Sequence, residues 1–345
     1  MGKTQENKLA KTARKKGIYK NIFKWMLIIG LLTFAFFKNQ EFMLSAIGEV
    51  KKTALPKLLL CMLFANLYFV AEGSIISSMT ASGEKKLTLF QGMSCAYMCA
   101  FYRLATLGSG NGIAQLYYYN TKGITVSRGT GMALSQYTFQ KITIGIMGVL
   151  SFFILLAFGE AKLLKYIWFM FAGVLVISFI CIFLFVITVS KKISDLLMKL
   201  ARKIIKEKNR LYKKLGEVQH AIDNLQEQGR IVWKDKKLFI RVVLLNIIKF
   251  ACWYVIPGVL FSETYSLNIF FCLALMAVCN MLGCVMVAPS GVGTLDFVFA
   301  LFFGSIISQA KAVAAAIIIY RFFTWVVPFI IGLIPAAFLK RENPV

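Results

Sequence analysis

The chain has 345 residues, 59% of them hydrophobic and only 16% charged, with 40 Lys and Arg against 15 Asp and Glu for a formal net charge of +25. Mean hydropathy is +0.71. Soluble domains carry about 25% charged residues, so composition excludes a soluble globular enzyme and makes lipid the expected solvent. Most of the positive charge lies in the first 24 residues, in 191–237 and at Lys340 and Arg341, beside or between apolar runs. That is how the positive-inside rule distributes charge, and no nucleic-acid partner is expected.

In chain order, residues 1–20 form a basic segment expected in the cytoplasm. The apolar run 21–37 follows it without a small-residue cleavage site and is expected as a retained first span. A short outer segment, 38–54, leads to a second span over 55–71 and then to the cationic "GEKK" of 83–86. Residues 87–120 read as an apolar helix, a break at "GSGNG" (108–112) and a short aromatic helix. The next loop carries Lys122 and Arg128 and so prefers the inside, which makes 87–120 a re-entrant hairpin. Runs 133–158 and 163–189 complete a first membrane half, 21–189.

Residues 190–238 are cytoplasmic in this topology, with apolar positions recurring at three- and four-residue steps. That is an amphipathic helix or helical hairpin, suited to a membrane surface or to a partner. A second membrane half, 239–338, contains a span over 239–261, a hairpin over 267–308 and a span over 312–338. The tail, 339–345, is again expected inside. The fold class is an all-α polytopic membrane protein with about six full transmembrane helices and two re-entrant hairpins. Both termini are placed in the cytoplasm, and the membrane is expected to be the plasma membrane.

The second hairpin breaks at "PSGVG" (289–293), which shares S-G-x-G with "GSGNG" at an offset of 181 residues. At that offset Gln115 falls opposite Asp296, and "FQK" (139–141) opposite "IYR" (319–321) within one residue, making Lys141 a counterpart of Arg321. One hairpin opens inward and the other outward, the inverted-topology repeat common in transporters with a midplane substrate site. The breaks at Gly108, Gly110, Gly112 and at Pro289, Gly291, Gly293 then line that site.

Polar groups at membrane depth are the candidate binding residues: Arg103, Asn111, Gln115, Gln140, Lys141, Lys249, Asn280, Asp296 and Arg321. Ionisable groups there cost about 2.5–3.5 kcal/mol each on insertion scales and usually face an interior cavity. Arg103, Lys141, Lys249 and Arg321 outnumber the acids and offer a cationic path for a phosphate headgroup. The competing reading is structural, with Asp296 pairing Arg321 or Lys249 to hold helices together. The eight cysteines all lie in apolar stretches without CxxC spacing. No disulfide framework, metal site or cofactor is therefore expected. His220 sits in the polar 190–238 segment, and no nucleophile–base pair is visible, so no catalytic residue is assigned.

"PSGVGTLD" (289–296) resembles the P-G-G-x-G-x-x-E signature of the lysylphosphatidylglycerol synthase transmembrane family, the membrane region of the multiple peptide resistance factor. "AIIIYRFFTWVVPFIIGLIP" (316–335) is similar to that family's following Y-R-x-x-T-x-W-x-P-x-x-x-G span, and 108–134 to its earlier hairpin. The chain departs from the pattern at Ser290, at Asp296 in place of glutamate, and at Gly108 and Gln115 in place of a proline and an acid. The resemblance implies a lipid-handling membrane protein linked to cationic peptide resistance. Flippase-like movement of an anionic or aminoacylated phospholipid is the leading expectation. The alternative is the membrane subunit of a phosphatidylglycerol lysyltransferase system, and a scaffold that binds a partner through 190–238 is a third. The family's full-length members add a soluble aminoacyl-transferase domain, and these 345 residues are not expected to transfer lysine alone. Partners implied are phospholipid, the membrane, a separate aminoacyl-transferase or a second copy of the chain.

Overall fold

The computed structural model describes residues 40–81, 85–106, 108, 110–204, 210–286 and 293–342. The expected span 21–37, the segment 1–20, the break residues Pro289 and Gly291 and the last three residues lie outside them. Every regular element among the described residues is helical. The chain divides into two units, Met1–Lys52 and Thr53–Val345. In the first, α1 (Gln40–Lys52) carries a Lys52–Glu49 pair at 2.7 Å, one turn apart on its exposed surface.

In the second unit, fourteen further α-helical segments lie among the described residues. They are α2 (Leu55–Thr80), α3 (Leu89–Ala105), α4 (Asn111–Thr121), α5 (Val126–Phe158), α6 (Ala161–Leu164), α7 (Ile167–Val189), α8 (Lys191–Ile204), α9 (Arg210–Lys234), α10 (Lys236–Tyr254), α11 (Ile256–Tyr265), α12 (Ile269–Val285), α13 (Thr294–Ile306), α14 (Ala310–Arg321) and α15 (Val327–Glu342). A π-helical stretch, Phe322–Val326, joins the last two. Among the described residues, five stretches are long and apolar enough to cross a membrane: Leu55–Thr80, Val126–Phe158, Ile167–Val189, Lys236–Tyr265 and Ala310–Leu339. They correspond to five of the expected spans. Their outward faces carry Ile146, Leu150 and Phe153 on α5 and Trp168, Phe179 and Ile182 on α7, all exposed. Apolar surface on that scale belongs in lipid. The protein is an all-α, multi-pass integral membrane protein.

Local sequence fixes the helix starts. Thr88 and Gln91 form a reciprocal capping box at the head of α3. Asn268 caps α12 through the amides of Phe270 and Phe271, and Asp235 caps α10 through Lys237 and Leu238. Each expected hairpin appears as a 17-residue helix followed by a short one, α3 with α4 and α12 with α13. At 1.5 Å per residue the 11-residue α4 is about 16 Å long, too short to cross a core of roughly 30 Å.

The repeat extends beyond the hairpins. Helix starts at Leu55 and Lys236, Leu89 and Ile269, Asn111 and Thr294, and Val126 and Ala310 differ by 181, 180, 183 and 184 residues. Packing follows the same rule: α3 lies on α15 as its counterpart α12 lies on α5. At offset 181, Tyr68 corresponds to Lys249 and Glu72 to Trp253. Tyr68 stacks on Trp253 with ring centroids 3.6 Å apart, while Glu72 pairs with Lys249 at 2.7 Å. The two contacts exchange partners, as contacts do across a twofold axis. Residue number rises along α2 as it falls along α10, so these helices are antiparallel and the axis runs perpendicular to them. For helices spanning a bilayer, that axis lies in the membrane plane.

The 190–238 segment is not a free appendage. α9 packs along α5 and α7. Its Val232 joins a buried cluster with Ile75, Met79, Phe139, Leu238 and Val242, and Gly131 of α5 has no room for a Cβ against the Asn224 carbonyl.

Candidate functional site: a polar cavity at the first helix break

Four helices each contribute polar or aromatic residues four positions apart, which places them one above the other on a helix face: Tyr68 and Glu72 on α2, Gln115 and Tyr119 on α4, Gln136 and Gln140 on α5, Lys249 and Trp253 on α10. They meet in one network. Lys249 is fully buried, with its Nζ 2.7 Å from Glu72 Oε2. Glu72 Oε1 accepts from Gln136 Nε2 at 2.8 Å and from Gln140 Nε2 at 2.9 Å. Gln136 Oε1 in turn accepts from Gln115 Nε2 at 2.7 Å, and Gln115 also donates to the Tyr119 hydroxyl at 2.9 Å. The Lys249 ammonium lies 5.4 Å from the Tyr68 ring centroid and 4.7 Å from that of Phe250. A buried ion is tolerable only when its partner and hydrogen bonds replace water, and here they do.

Beside this network is a cavity of about 340 Å³, lined by Glu72, Arg103, Asn111, Gly112, Gln115 and Gln140 among others. Gly108, with φ at 92°, also borders it. α4 starts at the rim, and its N-cap Gly110 supplies no side-chain acceptor; a helix N-terminus of this kind suits an anion. Arg103 is half-buried at the end of α3. Among the described residues it has no carboxylate within salt-bridge distance, and its guanidinium sits 5.8 Å from the Trp325 ring centroid.

The second break is built differently. Asp296 Oδ2 accepts from the Gly293 amide at 3.2 Å, fastening the start of α13. Arg321 grips the same carboxylate with two bonds, Nε to Oδ1 at 2.6 Å and Nη2 to Oδ2 at 2.9 Å. The Arg321 guanidinium also lies 4.4 Å from the Trp325 centroid. Trp325 thus contacts both arginines from the π-helical stretch, an irregularity often found at functional sites.

Of the sequence-derived candidates, Arg103, Gly108, Asn111, Gly112, Gln115 and Gln140 come together around the cavity. Lys249 stands behind its wall, coupled through Glu72 and not to Asp296. Asp296 and Arg321 meet each other at the second break. Lys141 lies over the ring of Tyr137, a cavity-lining residue, at 5.4 Å without lining the cavity itself, and Asn280 donates to the Tyr254 hydroxyl at 2.6 Å, outside the lining. At the 181-residue offset Gln140 falls opposite Arg321, with Lys141 one residue further on. Glu72, Gln136 and Trp325 are additions from the structure. Glu72 had one sequence signal: an acid one residue beyond the expected span 55–71, in a chain whose membrane-depth cations outnumber its acids.

The family model for the lysylphosphatidylglycerol synthase TM region matches residues 21–332. The chain belongs to this family. No curated protein matches it. As a family member with five membrane-crossing stretches among its described residues, the protein is a lipid-related integral membrane protein.

Proposed function

We propose that the protein translocates an anionic or aminoacylated phospholipid between leaflets, with the headgroup held in the cavity at the first break. One observation carries the reading: among the described residues Arg103 faces a polar cavity with no carboxylate at salt-bridge distance, whereas Lys249 and Arg321 are each paired with one. Arg103 and the first amides of α4 bind the phosphate, since a guanidinium and a helix N-terminus both suit phosphate oxygens. Glu72 and the glutamines line the opposite wall and accept the headgroup's donors. Lys141 and the Asp296–Arg321 pair act at the second break, reached when the lipid passes to the other side.

In this reading the membrane is the plasma membrane, both termini and 190–238 are cytoplasmic, and the two hairpins open to opposite faces. Cysteines placed at Ser127 and Ser266 are then labelled from opposite sides. Translocation is read in liposomes by bleaching fluorescent phosphatidylglycerol from outside. Arg103→Gln folds like the parent and loses translocation. An Arg103→Gln protein that moves lipid at the parental rate refutes the site.

A further inference from the structure

α7 crosses the membrane and ends at Val189, and α8 starts at Lys191 after Ser190 alone. The first turn of α8 therefore sits where the chain leaves the hydrocarbon. One side of α8 is fixed to the bundle. Ser194 and Met198 are buried, and Gln226 of α9 donates to Ser194 Oγ at 3.0 Å and to the Ile187 carbonyl at 2.7 Å. Gln226 thus ties the end of α7 to the start of α8.

The other side is uncovered. Ile193, Leu196 and Leu200 are 40%, 57% and 47% exposed, and their spacing of three and then four residues aligns them in one stripe. Lys192, Lys199 and Lys203 run along one border of that stripe, all exposed. The helix carries five cations and one acid, Asp195, which accepts from Gln219 of α9 at 3.4 Å. A large apolar side chain every turn, bordered by lysines on a helix of low overall hydrophobicity, is the composition of a helix lying in the membrane interface.

We propose that α8 is an anionic-lipid anchor, with the Ile193–Leu196–Leu200 stripe inserted at the acyl boundary and Lys192, Lys199 and Lys203 at the level of the lipid phosphates. A lipid surface fits better than a protein partner because the stripe begins within one turn of the point where α7 emerges, and because its charged border is wholly cationic. The anchor has a consequence for the first hairpin. α9, tied to α8 by Gln226, also holds the foot of α5, with Ser127 Oγ donating to Asn224 Oδ1 at 2.7 Å. Lipid binding to α8 therefore restrains the helix pair that supports the cavity.

The test places a bimane label at Leu196→Cys and, as a solvent reference, at Val218→Cys on α9, which is 46% exposed. The parent protein treated with the same label corrects for its own cysteines. Vesicles are phosphatidylcholine alone or phosphatidylcholine mixed with phosphatidylglycerol. The Leu196 label is quenched by doxyl-labelled acyl chains and protected from aqueous acrylamide, and phosphatidylglycerol strengthens both effects. Replacing Lys192, Lys199 and Lys203 with glutamine weakens the phosphatidylglycerol-dependent insertion by up to about fivefold per lysine, equivalent to about 1 kcal/mol each. Acrylamide quenching equal to that at Val218 overturns the proposal. Protection from both quenchers overturns it as well, because protein and not lipid then covers the stripe.

Discussion

The two hairpins start alike, each with a capped 17-residue helix, and end in opposite electrostatic arrangements. In the second, positions 296 and 321 are an acid and an arginine that bind each other, so the charge at the break is satisfied locally. In the first, the corresponding positions 115 and 140 are glutamines. Their network is anchored by Glu72 from α2, and that acid is neutralised by Lys249 from the other half of the repeat. The first break therefore depends on a contact across the pseudo-twofold axis, and its own arginine, Arg103, is left facing the cavity. Among the described residues, similar helix pairs thus carry a self-paired carboxylate and arginine at one break and an arginine facing a cavity at the other.

If the first break depends on charge supplied across the axis, removing that charge should have the largest effect. Glu72→Ala leaves Lys249 buried without a counter-ion and removes the acceptor for the Gln136 and Gln140 amides. We expect a loss of about 3–5 kcal/mol, read as a lower melting temperature in detergent. Pairing Glu72→Gln with Lys249→Met should restore most of it, since no buried charge remains. A Glu72→Ala protein that melts like the parent would show that the pair does not bear on folding.

Two glycine contacts, one within each half, also differ in how closely backbones approach. A Cβ on Gly92 would run into the Gly73 carbonyl oxygen, so α3 meets α2 backbone to backbone. In the second half, a Cβ on Gly258 would meet the Ile269 side chain at 3.2 Å and the Ile269 Cα at 3.3 Å, contacts that a shift of a few tenths of an ångström would relieve. Overpacking costs about 1–3 kcal/mol, and Gly92→Ala should lie at the upper end with Gly258→Ala well below it. Comparable melting shifts for the two would remove this distinction between the two contacts.

At the second break, Asp296→Asn should cost about 2 kcal/mol, the usual loss for a charged hydrogen-bonding partner. The effect is smaller than at Glu72 because the Arg321 and Asp296 side chains are 18% and 28% exposed and water can reach them. The double mutant Asp296→Asn/Arg321→Gln separates two roles. If the pair is only a brace, the double mutant regains both stability and lipid translocation. If Arg321 also guides the headgroup, stability returns and translocation does not. We expect the second result.

What the sequence made legible follows the range of each interaction. Long apolar runs mark spans by themselves, and the glycine clusters mark the breaks because helix propensity is local. The repeat could be read because S-G-x-G recurs at a fixed offset. Glu72 was lost because an acid followed by Gly73 and a series of serines resembles the end of a span, and the expected helix stopped at residue 71. The helix runs on to Thr80 for reasons supplied 20 to 177 residues away. Lys249 neutralises the acid, and Gly73 admits the backbone of Met93 on α3. The periodicity of 190–238 likewise showed that α9 has an apolar face but not that the face packs on α5.

The smallest expected effect is the most direct comparison, since Gly112 and Gly293 occupy the same position at the 181-residue offset. Gly112 lies inside α4 with ordinary helical backbone, and a Cβ there would meet nothing within 4 Å. Gly293 precedes α13 with φ at 86°, where a Cβ is unfavourable whatever the space around it. Alanine in a helix is favoured over glycine by about 1 kcal/mol, whereas placing an L-residue in the left-handed region costs roughly 1–2 kcal/mol. Gly112→Ala should therefore raise the melting temperature slightly and Gly293→Ala should lower it. The signs are opposite because Gly112 follows the start of α4 at Asn111, with the positive φ lying at Gly108, whereas Gly293 itself has a positive φ. Equal shifts of the same sign would mean that the two breaks have the same backbone geometry, and the contrast between an open and a self-fastened hairpin would lose its structural basis.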